Sequence, residues 1–165
     1  MIRCFAIAAA TVAMLLPGAG AQARQAPQQT WGVSDTPQTS ADGSQTFCML
    51  WSGRSPQPLV NIWLSSDGRL RLNLSAAELA GGTGGQVEVS LRFPRGQTGA
   101  IAAVHVDRVI AIGLSEAALA TVLDELRHDG DFVATVNGHS FSFPVSNLSS
   151  GVDMLLNCRR QLPAS

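Results

Sequence analysis

The chain has 165 residues, 45% of them hydrophobic and 14% charged, a formal net charge of −1, and neither lysine nor tyrosine. Schiff-base lysine chemistry, a Walker-type phosphate lysine and a tyrosine acid or nucleophile are therefore excluded. Near-neutral charge without a basic block argues against nucleic acid as a partner.

The first segment reads as a leader. Arg3, the apolar run Phe5 to Leu16, the break at Pro17-Gly18 and the small-x-small Ala21-Gln22-Ala23 have the order of a cleaved secretory signal over 1–23. A span needs about 20 apolar residues, more than this run holds, so no integral membrane span is expected after cleavage. The expected location is periplasmic. Cleavage removes Cys4 and leaves Cys48 and Cys158, which in an oxidising compartment most simply pair with each other. There is no C-x-x-C, no cationic cluster at Cys48 and no nearby His constellation, so neither a reactive thiol pair nor a zinc site is expected.

Residues 24–44 are rich in Gln, Pro, Ser, Thr and Gly and bury too little to offset their ordering entropy, so most of them are expected to be flexible. Trp31-Gly32-Val33 is the exception, a short strand able to dock. A single β-rich globular domain follows over 45–161. Val60, Ile62 and Leu64 alternate with Asn61 and Trp63; after Asp67-Gly68, Leu70, Leu72 and Leu74 alternate with Arg69, Arg71 and Asn73. Asp-Gly between alternating runs is a hairpin signal. The glycine-rich 81–85 reads as a flexible connection, with no lysine to make it a phosphate cradle. Val87, Val89, Leu91 and Phe93 then alternate with Gln86, Glu88, Ser90 and Arg92, and Ile101 to Leu114 gives more strand, folded at Asp107-Arg108.

Next the period changes. Leu119, Val122, Leu123 and Leu126 have helical spacing, with Ser115 as N-cap and Gly130 as terminator. Asn137-Gly138 joins a second hairpin, and a final helix begins near Ser149 or Ser150. Strands first and helices in the C-terminal half mean an α+β, β-rich fold: an antiparallel sheet forming a curved sandwich or partial barrel, with two helices.

The catalytic inventory is thin. His105 and Asp107 share a strand face and could form a base with its orienting acid, which would need a serine from elsewhere. His128 falls at a helix C-terminus, where Asp124 one turn earlier is expected to pair with it, and His139 follows a turn. Asp129-Gly130-Asp131 lacks the oxygen spacing of a calcium loop. No cofactor and no metal is expected.

Charge placement is more informative. Residues 51–100 balance at +2, and residues 107–131 carry six acids against Arg108 and Arg127. Arg69, Arg71 and Arg92 all have outward parity, and Trp63 has parity opposite to the apolar residues of its strand. If their strands are neighbours, the arginines form a cationic stripe able to grip carboxylate or phosphate.

Trp31-Gly32-Val33 with Phe47-Cys48-Met49-Leu50, and Phe143-Pro144-Val145-Ser146-Asn147-Leu148 with Gly151 and Leu155, resemble the opening and the strand-to-helix ending of the invasion-associated locus B family. The family opening has a cysteine soon after its Trp, where this chain has Ser34. The resemblance implies a small β-rich envelope protein and brings no catalytic motif with it. The leading expectation is an exported, non-enzymatic binding or accessory protein of this type. Its binding residues would be Trp63, Arg69, Arg71 and Arg92, and its partner an envelope protein or an anionic envelope component. One alternative is a periplasmic inhibitor of a wall-degrading hydrolase, with the acidic 124–131 as its plug; another is a small hydrolase using His105.

Overall fold

The computed structural model describes residues 30–53 and 57–163. The expected leader, Cys4, Arg24 and Arg54 lie outside the described residues. In chain order the elements are β1 (Trp31–Val33), β2 (Gln38–Thr39), β3 (Thr46–Ser52), β4 (Leu59–Ser65) and β5 (Leu70–Ser75). A 3₁₀ turn at Ala77–Leu79 leads to β6 (Gly82–Arg92), β7 (Gln97–Asp107) and β8 (Val109–Gly113). Then come α1 (Glu116–Glu125), β9 (Gly130–Val136), β10 (His139–Val145) and α2 (Ser149–Arg160).

All pairings are antiparallel, in the order β1-β3-β4-β5-β8-β7-β6-β9-β10, with β2 on the same flank of β3 as β1. The sheet curls into a half-barrel, and both helices come from the C-terminal half, as the strand and helix periods predict. Its concave face carries the alternating apolar set: Cys48 and Leu50, then Val60, Ile62 and Leu64, then Leu70, Leu72 and Leu74, all buried. Leu119, Val122 and Leu123 of α1 and Val152 and Leu155 of α2 are buried in the same core. Phe93, Phe132 and Phe143 form an aromatic ladder within it, with ring centroids 4.9 and 5.9 Å apart along the series.

The turns follow their residues. Asn137 and Gly138 both take positive φ, 51° and 79°, as a two-residue hairpin turn that matches strand twist requires. Asp107, φ 48°, makes the tight reversal from β7 to β8. Ser115 Oγ caps α1 by accepting from the Ala118 amide at 3.2 Å. Arg159 of α2 grips the carboxylate of Glu116 with both terminal nitrogens, tying the end of one helix to the start of the other.

Two links close the molecule. The Cys48–Cys158 disulfide, with Cα atoms 5.9 Å apart, staples α2 to β3. At the open seam between β1 and β10, the Trp31 indole donates to the Pro144 carbonyl at 2.7 Å. Pro144 has no N–H to offer there, a residue suited only to an edge strand.

Three local expectations change. Beyond the expected strand β1, residues 34–44 add β2 to β3, followed by a turn in which Asp42 accepts from Ser40, Ser44 and the Ser44 amide. Those donors, the Ser40 hydroxyl first, hold the Asp42 carboxyl down at about 2. The glycines from 82 onward are strand rather than connection, with Gly84 at a bulge against β7. Asp124 bonds Arg95 across the molecule instead of pairing with His128.

Candidate binding face

The outward face of β3, β4 and β5 is built from the residues that alternate with the core. Cross-strand register places Met49, Trp63, Arg71 and Gly113 in one row, and Gly32, Trp51, Asn61, Asn73 and Ala111 in the next. Trp63 and Arg71 are therefore direct neighbours. Phe47 stacks on Trp63, with ring centroids 3.7 Å apart and planes 18° from parallel. Trp51 lies over Gly32: a Cβ at that glycine would overlap the indole, so the missing side chain is what lets the ring rest across β1. Beside Trp51 in its row, Asn73 Nδ2 donates to Asn61 Oδ1 at 2.9 Å.

This face is poor in charge. Among the outward positions of β3, β4, β5 and β8, and of β7 from 102 to 106, Arg71 is the one ionisable residue. Val104, Val106 and Val109 extend the apolar surface on the far side, 42%, 54% and 38% exposed. An antiparallel sheet with one solvated face normally alternates apolar with polar side chains. Depletion of charge with enrichment in Trp, Phe, Met and Arg is instead the composition of an interface core.

The expected arginine stripe divides. Arg71 is exposed beside Trp63, and among the described residues no acid is ion-paired to it. Arg69 bonds Asp67 at the hairpin tip, Nε to Oδ2 at 3.2 Å. The Ser65 hydroxyl and the Arg69 amide hold the Asp67 carboxyl below its ordinary range, with the charges of Arg69 and Arg71 adding to the effect. Arg92 lies on β6, which β8 and β7 separate from β5. Three strand spacings put it roughly 14 Å across the sheet from Arg71, so it belongs to a different surface.

The residues of the alternative readings have structural partners. His105 Nε2 meets the Leu79 carbonyl at 2.7 Å, so that nitrogen is the donor and the ring clamps the 3₁₀ turn. The ring also fills the space over Gly82. In the acidic segment, Asp124 and Glu125 bind Arg95, and Asp129 accepts from the Asn147 amide at 2.9 Å. These acids join the end of α1 to the β6–β7 turn and to the start of α2. Among the described residues no group of three or more His, Cys, Asp or Glu is placed to hold a metal ion.

A cleft of about 520 Å³ opens at the seam, lined by Trp31, Val33, Leu50, Pro144, Leu148 and Met154 among others, with no charged side chain in its wall. It arises from the meeting of β1, β10 and α2, so no local motif announces it. Phe47, Met49, Trp51, Asn61 and Asn73 are likewise not among the binding residues expected from the sequence. The available signal was the run Thr46–Ser52, which is apolar at both parities. No family model, no curated protein and no solved structure matches the chain.

Proposed function

We propose that the chain is an exported, non-enzymatic binding or accessory protein of the cell envelope, of the invasion-associated locus B-like type. It engages an envelope protein or an anionic envelope component through the outward face around Trp63 and Arg71. The observation that carries this reading is the composition of that face: aromatic and aliphatic groups over five strands with one guanidinium, Arg71, that is in no ion pair among the described residues. Export is supported by the Cys48–Cys158 bridge, a bond that persists in oxidising compartments. A periplasmic location and the leader over 1–23 belong to the same proposal.

The test is cell fractionation of the protein carrying Arg71→Gln, with Arg92→Gln as control. Loss of Arg71 should move protein from the envelope to the soluble periplasmic fraction, and loss of Arg92 should not. Unchanged fractionation of Arg71→Gln overturns the reading.

A further inference from the structure

We propose that two copies of this chain join edge to edge through β10, as an isologous pair about a twofold axis at Phe141. The open edge, the limits of its opening and the register available to a second copy together carry this assignment.

The free groups of the edge are defined by parity. Pro144 turns its carbonyl to the seam, where the Trp31 indole donates to it. Backbone groups alternate sides along a strand, so Ser140 and Ser142 also face the seam, while Phe141 and Phe143 face β9. The ladder with β9 runs from His139 to Val145 without a shift of register. Among the described residues nothing bonds the backbone amides or carbonyls of Ser140 and Ser142 on the seam side. Natural edges are blunted by charge, by a bulge, by proline or by a covering segment. β10 carries no Arg, Asp or Glu, and its one such device is Pro144, near its far end.

The shape of the opening selects the occupant. Every pairing along the path from β1 to β10 is antiparallel, and the path holds nine strands, so the two end strands run in the same sense. β1 begins at Trp31, beside Pro144, and continues away from the Asn137-Gly138 turn. The stretch without a described strand beside it is therefore His139 to Phe143, between that turn and the Trp31–Pro144 bond. A long extended segment would run into the bond. The tip of a second β9–β10 hairpin, laid antiparallel, ends where the bond begins.

A second copy also matches in register. With Phe141 opposite its equivalent, Ser140 meets Ser142 of the second copy, and each such pair exchanges two N–H···O bonds. Pro144 then lies opposite Gly138 at the turn, so its missing N–H falls outside the paired serines. A register with Ser142 opposite itself would instead set Ser140 against Pro144, which has no N–H and a carbonyl already engaged. The side chains that meet on the outward side are serine hydroxyls, so no like charges oppose the pairing. On the core side the two Phe141 rings become cross-strand neighbours.

The experiment is sedimentation equilibrium of the oxidised protein up to submillimolar concentration, with amide hydrogen exchange measured at both ends of the range. The protein should sediment as a monomer–dimer equilibrium. Exchange at Ser140 and Ser142 should slow as the dimer forms, while Phe141 and Phe143, bonded to β9, stay slow throughout. Ser142→Pro removes an N–H that faces away from β9, so the hairpin keeps its own ladder and the circular dichroism should not change. It should weaken association about tenfold or more, and Arg92→Gln should leave association unchanged. A monomer at every concentration, or a dimer indifferent to Ser142→Pro, overturns the proposal. So does slow exchange at Ser140 and Ser142 in the monomer, which would mean that another segment of the same chain covers the edge.

Discussion

Removing the Cys48–Cys158 bridge should cost this domain a large share of its stability. The bond closes a loop with a sequence separation of 110 residues. Loop-closure entropy for that length is about 16 cal/mol/K, or about 5 kcal/mol at room temperature. Both sulfurs sit in the core with no exposure, so a double Cys48→Ala, Cys158→Ala variant also loses some packing. Domains of this kind hold roughly 5–15 kcal/mol in total, so the variant should be marginal. The assay is guanidinium unfolding of the oxidised protein and the double variant, followed by tryptophan emission and far-ultraviolet circular dichroism. The expected result is a lower midpoint together with a steeper denaturant dependence, because the unfolded chain is no longer crosslinked. A loss below about 1 kcal/mol would refute the reasoning. It would mean that Val152 and Leu155 alone hold α2 against β3, and that the bridge adds little to the packing.

Gly32→Val should destabilise the protein by about 1–3 kcal/mol and alter near-ultraviolet circular dichroism, because the new side chain displaces Trp51. Valine suits strands, so an unchanged or higher melting temperature would show that Trp51 does not rest on β1. Ser52→Ala should raise stability by about 1 kcal/mol, since the Ser52 hydroxyl is buried with no hydrogen-bond partner among the described residues; a fall in melting temperature would contradict this. The Asp42 carboxyl is lowered from 3.8 to about 2 in the fold. Its stabilisation is therefore full above its unfolded value and is lost as pH falls through about 2. Hydrogen exchange at the Ser44 amide, which donates to Asp42 at 3.1 Å, should stay slow at pH near 3 and accelerate below about 2. Acceleration already at pH near 4 would refute the assigned hydrogen bonds.

Face parity was legible from local sequence, and strand order was not. Alternation at Val60–Leu64 and Leu70–Leu74 defined the buried side of β4 and β5, and Asp67-Gly68 joined them in the register that sets Trp63 against Arg71. The two hairpin turns, both helices and the Cys48–Cys158 link also follow from short-range patterns and cysteine arithmetic. Arg92 shows the limit. Its outward parity is a local property, but its distance from Arg71 depends on β8 and β7 inserting between β5 and β6. That order comes from pairings distant in sequence. Gln38-Thr39 shows another limit, because a polar composition conceals a strand that is ordered by an existing edge. Trp31-Gly32-Val33 has little apolar surface of its own, yet it gains a ladder with β3, a cover from Trp51 and a bond to Pro144. Gly82 and its neighbours lie in strand for a related reason: β7 supplies the partner.

The most direct measurement is hydroxyl-radical footprinting of the protein, free and bound to isolated envelope, read by mass spectrometry. Protection should concentrate on Phe47, Met49, Trp51 and Trp63, while Met154 at the seam cleft and the β6 surface around Arg92 keep their reactivity. Protection of Met154 or the Arg92 surface, with Trp51 and Trp63 still reactive, would contradict the outward face as the place where the partner binds.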